Sequence, residues 1–385
     1  MVTEATLPVH HTSLLRKLAS LIAAPDIVIV QMKAGGKKKV NTPVAIVKGR
    51  NTEENIVKAL SLIDIKNGLR MNNYLPTYYN KPDEFIDGMK LRKDSRILIK
   101  PNFVRVPPQS PWAYTKHAYE LTTLYGRGKG TGIGDNNTPE SVRGVLRALQ
   151  DAGYTNLVIG EASGGCQTYL NYKYLGIDKI AKEFGVELVD LNWEDAVLVD
   201  VPNRVTLDSI WVPRTVFESD LIVSLAAMKH SLCLKNVGIG TLPGKYYGWN
   251  RAGSWVRGIG GGIHDSMRRS RLGENGEFID VCCVNRIGLA VIDGTYILDG
   301  EGVTHETNMA IVGFDPVATD AVAYAVMGFD PDGFAHMQMA VEKGLGTYDF
   351  SKIEVRGESI EAAQVKGISP PRTYSGGRIR ARRLP

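Results

Sequence analysis

Cysteine and long apolar runs are both scarce in this chain. Four cysteines occur among its 385 residues, and no two of them have C-x-x-C spacing. The spacing gives no local motif for a zinc ribbon or an iron–sulfur cluster, and it predicts free, mostly buried thiols in a reducing compartment. No run of ~18 apolar residues is present, and residues 18–24 are too short for a secretory signal. We therefore expect no membrane span and a cytoplasmic protein.

Acidic residues are missing from the C-terminal end of the chain. Residues 364–385 carry six basic side chains and no acidic one, whereas the formal charge of the whole chain is +5. The body is therefore close to neutral, and residues 366–385 form a basic tail that we expect to be extended or mobile. Contact with nucleic acid, an anionic membrane or a neighbouring subunit is one interpretation, and a solvated tail is the favoured one. Nucleic acid is the least favoured partner, because the sequence has no known nucleic-acid motif.

Glycine, by contrast, is abundant, with 41 residues in the chain, above the usual ~7%. Between the glycine-rich stretches, short continuous apolar runs alternate with helical patterns. This alternation predicts an α/β fold with a mainly parallel sheet, crossover helices, long Gly-rich loops and the basic C-terminal tail. We expect residues 1–90 to pack on the main sheet, residues 91–365 to form the main α/β domain, and residues 366–385 to form the tail.

The predicted elements follow from apolar runs and capping residues. Thr138 and Pro139 are typical of a helix start, and Gly153 of its end. Residues 196–201 and 209–212 form a predicted hairpin outside the main sheet. The strands of the main sheet are predicted at residues 44–47, 96–100, 157–160, 187–191, 221–225, 287–292, 309–314 and 353–356.

Polar residues follow several of these strands at their carboxyl ends, where ligands bind in open α/β sheets. Lys100 and Asn102 follow one strand and could face a ligand, or could form a simple polar junction. Glu161 follows another strand and could be a base or metal ligand, or could neutralise a lysine. The Gly-rich stretch 126–135 could hold a phosphate before the Thr138 helix, although a flexible surface loop is favoured.

The strongest signal is a cationic cluster after residues 221–225. A lysine buried among other cations has a lowered pKa and can act as a base or a nucleophile, and histidine can transfer protons or bind metal. Anion binding without chemistry is the alternative. We predict as catalytic residues Lys229, His230, Lys235, His264 and Glu161. We predict as substrate-binding residues Lys100, Asn102, Asn236 and Arg251.

Carboxylates after residues 287–292 suggest a metal or acid–base site, although turn formation explains the Asp-Gly pairs nearly as well. Asp315 is a predicted helix cap, and Asp320 inside that helix must be buried and paired or must face the site. The predicted metal ligands, for a divalent metal of unknown identity, are His230, His264, Asp293 and Glu301.

Taken in order along the chain, these motifs resemble a known family. The motifs are Ile99-Lys100-Pro101-Asn102, Val158-Ile159-Gly160-Glu161, Lys229-His230, Lys235-Asn236-Val237-Gly238, Val291-Ile292-Asp293-Gly294 and Asp315-Pro316-Val317-Ala318-Thr319-Asp320. The chain resembles, over residues 44–330, the family catalogued as domain of unknown function 362. Many members carry a ferredoxin-like segment, which this chain lacks. A fainter likeness joins residues 235–244 to the lactate racemase family, and it would imply that Lys235 holds a nickel cofactor.

Two functions are expected from these observations. The first is an enzyme acting on a small carboxylate or phosphate, with metal assistance as an option. The second is a non-catalytic binding or assembly protein, a homo-oligomer that uses its loops and basic tail. The sequence itself does not name a substrate, a cofactor or a reaction.

Overall fold

A computed structural model of the chain describes residues 41–70, 91–104, 134–164, 167–247, 276–371 and 374–375. All of these belong to one compact unit, Asn41–Pro385. Its strands are β1 (Thr42–Lys48), β2 (Ile97–Lys100), β3 (Leu157–Glu161), β4 (Glu187–Asp190), β5 (Ala196–Asp200), β6 (Ser209–Pro213), β7 (Leu221–Lys229), β8 (Ile287–Leu298), β9 (Thr304–Gly313) and β10 (Ile353–Gly357).

Eight of these strands form one sheet in the order β10-β1-β9-β8-β7-β2-β3-β4. Strand β9 is antiparallel to both β1 and β8, and every other neighbouring pair is parallel. The prediction of an α/β fold with a mainly parallel sheet is therefore confirmed. Strands β5 and β6 form a separate antiparallel pair, as expected for the hairpin.

The described helices are α1 (Thr52–Leu62), α2 (Ile65–Gly68), α3 (Pro139–Asp151), α4 (Thr168–Tyr174), α5 (Ile177–Phe184), α6 (Arg214–Phe217), α7 (Cys233–Gly240), α8 (Gly244–Tyr247), α9 (Gly276–Val284), α10 (Pro316–Val326), α11 (Ala335–Glu342) and α12 (Ile360–Ala363). Short 3-10 turns lie at Pro331–Gly333 and Phe350–Lys352.

Local capping explains where several helices begin. The Thr138 side chain accepts a hydrogen bond from Ser141 N at the start of α3, and Asp315 accepts one from Ala318 N at the start of α10. Both helices were predicted from these residues. Helices α4 and α5 follow each other closely and are separated at Gly176, which adopts φ +71°.

Both faces of the sheet are covered, as expected for mostly parallel strands. Alternate residues of β2 enter different cores, with Ile97 and Ile99 on one face and Leu98 on the other. Residues of α1, α3 and α5 fill the first core, and residues of α7, α9 and α10 fill the second. The sheet is thus a buried platform whose polar groups concentrate at strand ends.

Two further findings differ from the predicted pattern. Strand β7 continues to Lys229 instead of ending at Leu225, and all nine of its residues are buried. The first described residues of the tail pack on the body: Gly300 N donates to Ser369 O, and Asp330 N donates to Tyr374 Oη. No helix in the described part of the chain is long and apolar enough to cross a membrane.

Candidate functional site

The site begins at the carboxyl ends of two neighbouring parallel strands. Lys100 is the last residue of β2 and Glu161 the last residue of β3, so the sheet places their side chains together. Lys100 Nζ lies 2.8 Å from Glu161 Oε1, and both side chains are almost fully buried. Glu161 also accepts hydrogen bonds from Phe103 N and Ala162 N, each at 2.7 Å. Its carboxylate therefore neutralises a lysine and fixes two loop backbones, which is the structural alternative predicted for it.

Asn236 on α7 ties this ion pair to β7. Its Oδ1 accepts a hydrogen bond from Lys100 Nζ at 3.0 Å, and its Nδ2 donates to Lys100 O, Ser224 Oγ and Leu225 O. The amide of Asn236 is thus fully engaged with protein groups. Its role in the structure is to position Lys100, while its predicted substrate contact stays a prediction.

Helix α7 has no cap from its own segment, because Leu232 stands at the N-cap position. Asp320, in the middle of α10, supplies the missing acceptor: its carboxylate accepts from Cys233 N at 2.9 Å and from Leu234 N at 3.1 Å. Carboxylates favour helix N-termini, where free N–H groups point outward. Burial nevertheless dominates and raises the pKa of Asp320 to about 7, although the two backbone hydrogen bonds oppose the shift.

An open pocket lies between α7 and the ends of β2 and β3. Its cavity volume is about 70 Å³, which is room for several waters or a small anion. Gly240 packs directly against the ion pair, because a side chain at this position would overlap Lys100 Nζ and approach Glu161. The lining residues are Asn102, Phe103, Val104, Glu161, Ala162, Gly164, Lys235, Asn236, Ile239 and Gly240.

Lys235 differs from the other lysines of the site because no described residue compensates its charge. It lies in the first turn of α7, lines the pocket, and has no hydrogen bond or ion pair with any described residue. Burial, followed by the nearby ammonium groups of Lys229 and Lys100, lowers the pKa of Lys235 to about 7. At neutral pH the amine is therefore present in both protonation states.

Lys229, at the end of β7, forms a second compensated pair beside Lys235. Its Nζ donates to Asp135 O at 2.8 Å and lies 3.7 Å from Asp135 Oδ1. The next residue, His230, keeps an exposed surface. Surrounding protein atoms and the charges of Lys229 and Lys235 lower the pKa of His230 to about 4, so its imidazole is neutral at pH 7.

The residues predicted as metal ligands do not assemble within the described part of the chain. Asp293 Oδ2 accepts hydrogen bonds from Thr138 N and Oγ1, and its Oδ1 accepts from Thr295 N and Oγ1. Glu301 is exposed beyond the end of β8. Among the described residues, no three His, Cys, Asp or Glu side chains come close enough to hold a metal ion. His264 and Arg251 lie outside the described residues, as does most of the Gly-rich stretch 126–135.

The structure thus brings together Lys100, Glu161, Lys235 and Asn236, and Asn102 lines the same pocket. Sequence reasoning did not assign Asp135 to the site. The signal for it was weak, since Asp135 sits in a glycine-rich stretch far from Lys229 in the sequence. The sequence indicated that Asp320 needs a partner, because a buried aspartate inside an apolar helix must be paired. It did not indicate that the partner is the first turn of α7.

The fold and pocket define a mostly parallel α/β protein whose site lies at the carboxyl ends of β2, β3 and β7. The family described as "Domain of unknown function (DUF362)" matches residues 129–325, half of the chain. The chain belongs to this family. The matched segment contains Glu161, Lys229, Lys235 and Asp320, whereas Lys100 precedes it. No curated protein matches the chain. The likeness to lactate racemases gains no support, and a nickel cofactor on Lys235 stays a prediction.

Proposed function

We propose that the protein is an enzyme acting on a small anionic substrate, and that Lys235 binds the anion and exchanges a proton with it. One observation carries this proposal: Lys235 has no ion-pair partner among the described residues, although it lines a pocket. Lys235 is half-buried, and an ammonium that has lost part of its water without gaining a partner is costly; a bound anion would remove that cost.

The charges around the pocket support the same proposal. Lys100 is paired with Glu161 and Lys229 with Asp135, so these four groups balance one another. Lys235 adds one positive charge to them when it is protonated. A carboxylate or phosphate entering the pocket would therefore meet one uncompensated cation.

The protonation behaviour of Lys235 supports a role in chemistry. A group whose pKa lies near the working pH transfers protons best, because both of its forms are populated. The pKa of Lys235, lowered to about 7, meets this condition. Side chains with strongly shifted pKa values occur more often at functional sites than elsewhere in a protein.

The test is anion binding by the whole protein and two variants, measured by calorimetry with acetate, pyruvate and inorganic phosphate. Lys235→Met removes the charge and should weaken binding about ten- to a hundred-fold, since a hydrogen bond to a charged group contributes about 1.5–3 kcal/mol. For the wild type, affinity should be highest below pH 7 and should fall as Lys235 loses its proton above it.

Lys245→Met is the matched control. Lys245 lies on α8 and is exposed, and its Nζ lies 3.6 Å from Asp195 Oδ1. Its removal should leave anion affinity unchanged. Equal affinities in the wild type and in Lys235→Met would contradict the proposal, and so would equal losses in both variants.

A further inference from the structure

The lysines near the pocket are arranged in a way that suits covalent chemistry as well as electrostatic binding of an anion. Three lysine side chains lie close enough to influence one another, and two of them are held by carboxylates. Lys100 donates to Glu161, Asn236 and Pro101 O, which uses all three of its N–H groups. Lys235, in contrast, lines the cavity, is half-buried, and has no hydrogen bond or ion pair with a described residue. The geometry therefore keeps one amine accessible and holds the other cations beside it.

We propose that Lys235 forms a covalent imine with the carbonyl group of its substrate, and that the substrate is a small oxo acid with a single carboxylate. This inference rests on the proposed function and specifies both its substrate class and its chemistry. It needs an accessible amine and a charge balance that suits the adduct.

The amine must be neutral to attack a carbonyl carbon. A lysine with the usual pKa of about 10.4 is neutral in less than about 0.1% of molecules at pH 7. Burial and the two neighbouring ammonium groups reverse this disadvantage for Lys235, whose pKa falls to about 7. Desolvation next to other cations is a recognised way of activating a lysine nucleophile.

The step balances without any further reactant. The lone pair of neutral Lys235 Nζ attacks the carbonyl carbon, and the carbonyl oxygen takes up a proton to give a carbinolamine. The C–O bond then breaks, the oxygen leaves as water after a second proton transfer, and the C=N bond forms. Two protons leave the amine nitrogen and two reach the departing oxygen, so no oxidant or reductant is required.

The charge balance selects a monoanion. Protonation of the imine gives an iminium that carries one positive charge, as the Lys235 ammonium does. Because Lys100 and Lys229 are already compensated by Glu161 and Asp135, this single charge matches one carboxylate before and after the reaction. A phosphate dianion would leave one negative charge without a partner among these groups.

The side-chain amide of Asn102 is a second polar group of the pocket that can bind the same substrate. Asn102 lines the cavity, and its backbone, not its side-chain amide, is the part bonded to Asn137. The amide of Asn102 has no hydrogen-bond partner among the described residues. Its N–H groups are available to a carboxylate, and its carbonyl oxygen is available to a carbinolamine hydroxyl.

The experiment is reductive trapping on the whole protein. Wild-type protein is incubated at pH 7 with pyruvate or glyoxylate, reduced with borohydride, digested and analysed by peptide mass spectrometry. We expect the reduced adduct on Lys235 at an occupancy at least ten times that on Lys245. Excess acetate, which binds as an anion but has no ketone or aldehyde, should protect Lys235 and leave the background on Lys245 unchanged.

Lys235→Arg separates this inference from the proposed function. Arginine keeps the positive charge but is no amine nucleophile at neutral pH, so the variant should show no adduct at residue 235. If acetate binding depends on Lys235 while trapping on Lys235 does not exceed that on Lys245, the imine is excluded and the anion site stands. If wild-type protein neither binds acetate nor forms the adduct, both proposals fall.

Discussion

At the scale of single residues, what distinguishes the lysines of the site is their partners. Lys100 is fully buried and pairs with Glu161, whereas Lys235 lines the pocket without a described partner. The same side-chain type therefore has a structural role at one position and an available amine at the other. Sequence reasoning named Lys235 as catalytic and Lys100 as substrate-binding, with a polar junction as the alternative for Lys100. It could not separate the two roles further, because a sequence does not reveal which charges compensate one another.

The structural role of Lys100 leads to a stability prediction. Lys100→Met should lower the free energy of unfolding by about 3 kcal/mol, because it leaves the Glu161 carboxylate buried without its cation. Urea unfolding followed by circular dichroism measures this loss. The double variant Lys100→Met, Glu161→Gln should recover part of it, since the second change removes the uncompensated charge.

The pair formed by Arg92 and Asp94 is the matched control. It has a comparable N–O distance of 3.2 Å, but its side chains are 75% and 77% exposed. Arg92→Met should cost less than about 1 kcal/mol, because solvent screens such pairs. Similar losses for Arg92→Met and Lys100→Met would show that burial does not decide the contribution of these pairs.

At the scale of secondary-structure elements, the informative case is α7. Its sequence, Cys233–Gly240, contains two glycines and no local cap, so glycine content and capping rules both argue against a helix there. Asp320 from α10 accepts the hydrogen bonds of the first turn, and Gly238 allows α9 to approach closely, since a side chain there would overlap Phe278. The helix that carries Lys235 is therefore formed by tertiary contacts.

The buried position of Asp320 predicts a pH-dependent stability. The pKa of Asp320 is raised from about 3.9 in an unfolded chain to about 7 in the fold. Between these values the folded protein retains a proton that the unfolded chain has released, so the free energy of unfolding falls as pH rises. Asp320→Asn should remove this contribution, which amounts to about 2 kcal/mol between pH 5 and pH 7.5.

Urea unfolding of the wild type and Asp320→Asn at several pH values measures the difference. The wild type should lose stability relative to the variant as pH increases. Asp94→Asn, at an exposed position, should run parallel to the wild type. A constant difference between the wild type and Asp320→Asn across this range would mean that Asp320 does not titrate there. Burial also raises the pKa of Asp315 to about 6, so Asp315 lowers the free energy of unfolding as pH rises. This contribution is present in the wild type and in both variants, and it cancels when they are compared.

At the scale of the whole molecule, the position of a strand in the sheet determines how firmly it is held. Strand β7 has parallel neighbours on both sides and is buried along its whole length. Strand β4 is at one edge, and β5 and β6 form a pair of their own with partly exposed residues. Local opening is easiest where few buried contacts must be broken.

Amide hydrogen exchange should therefore differ among these strands. We expect protection factors in residues 221–227 of β7 at least ten times those in β5 and β6, because β7 amides open with the global unfolding event. Exchange followed by peptide mass spectrometry under native conditions makes the comparison. Equal protection of the hairpin and of β7 would contradict the view that the hairpin opens independently. The strand β2 should behave like β7, since it is also internal to the sheet.

The fold class, most strands of the sheet and the helices α3 and α10 were predictable from the sequence alone, because they depend on continuous apolar runs and on local capping residues. The sequence also indicated that polar groups such as Lys100, Glu161 and Lys235 would meet, since parallel strands end at the same edge. Tertiary structure decided which lysines are compensated, that residues 233–240 form a helix, and that Asp293 caps a helix start together with Thr138. The physical reason is that charge pairing, desolvation and capping between distant elements depend on distances in space, which spacing along the chain does not encode.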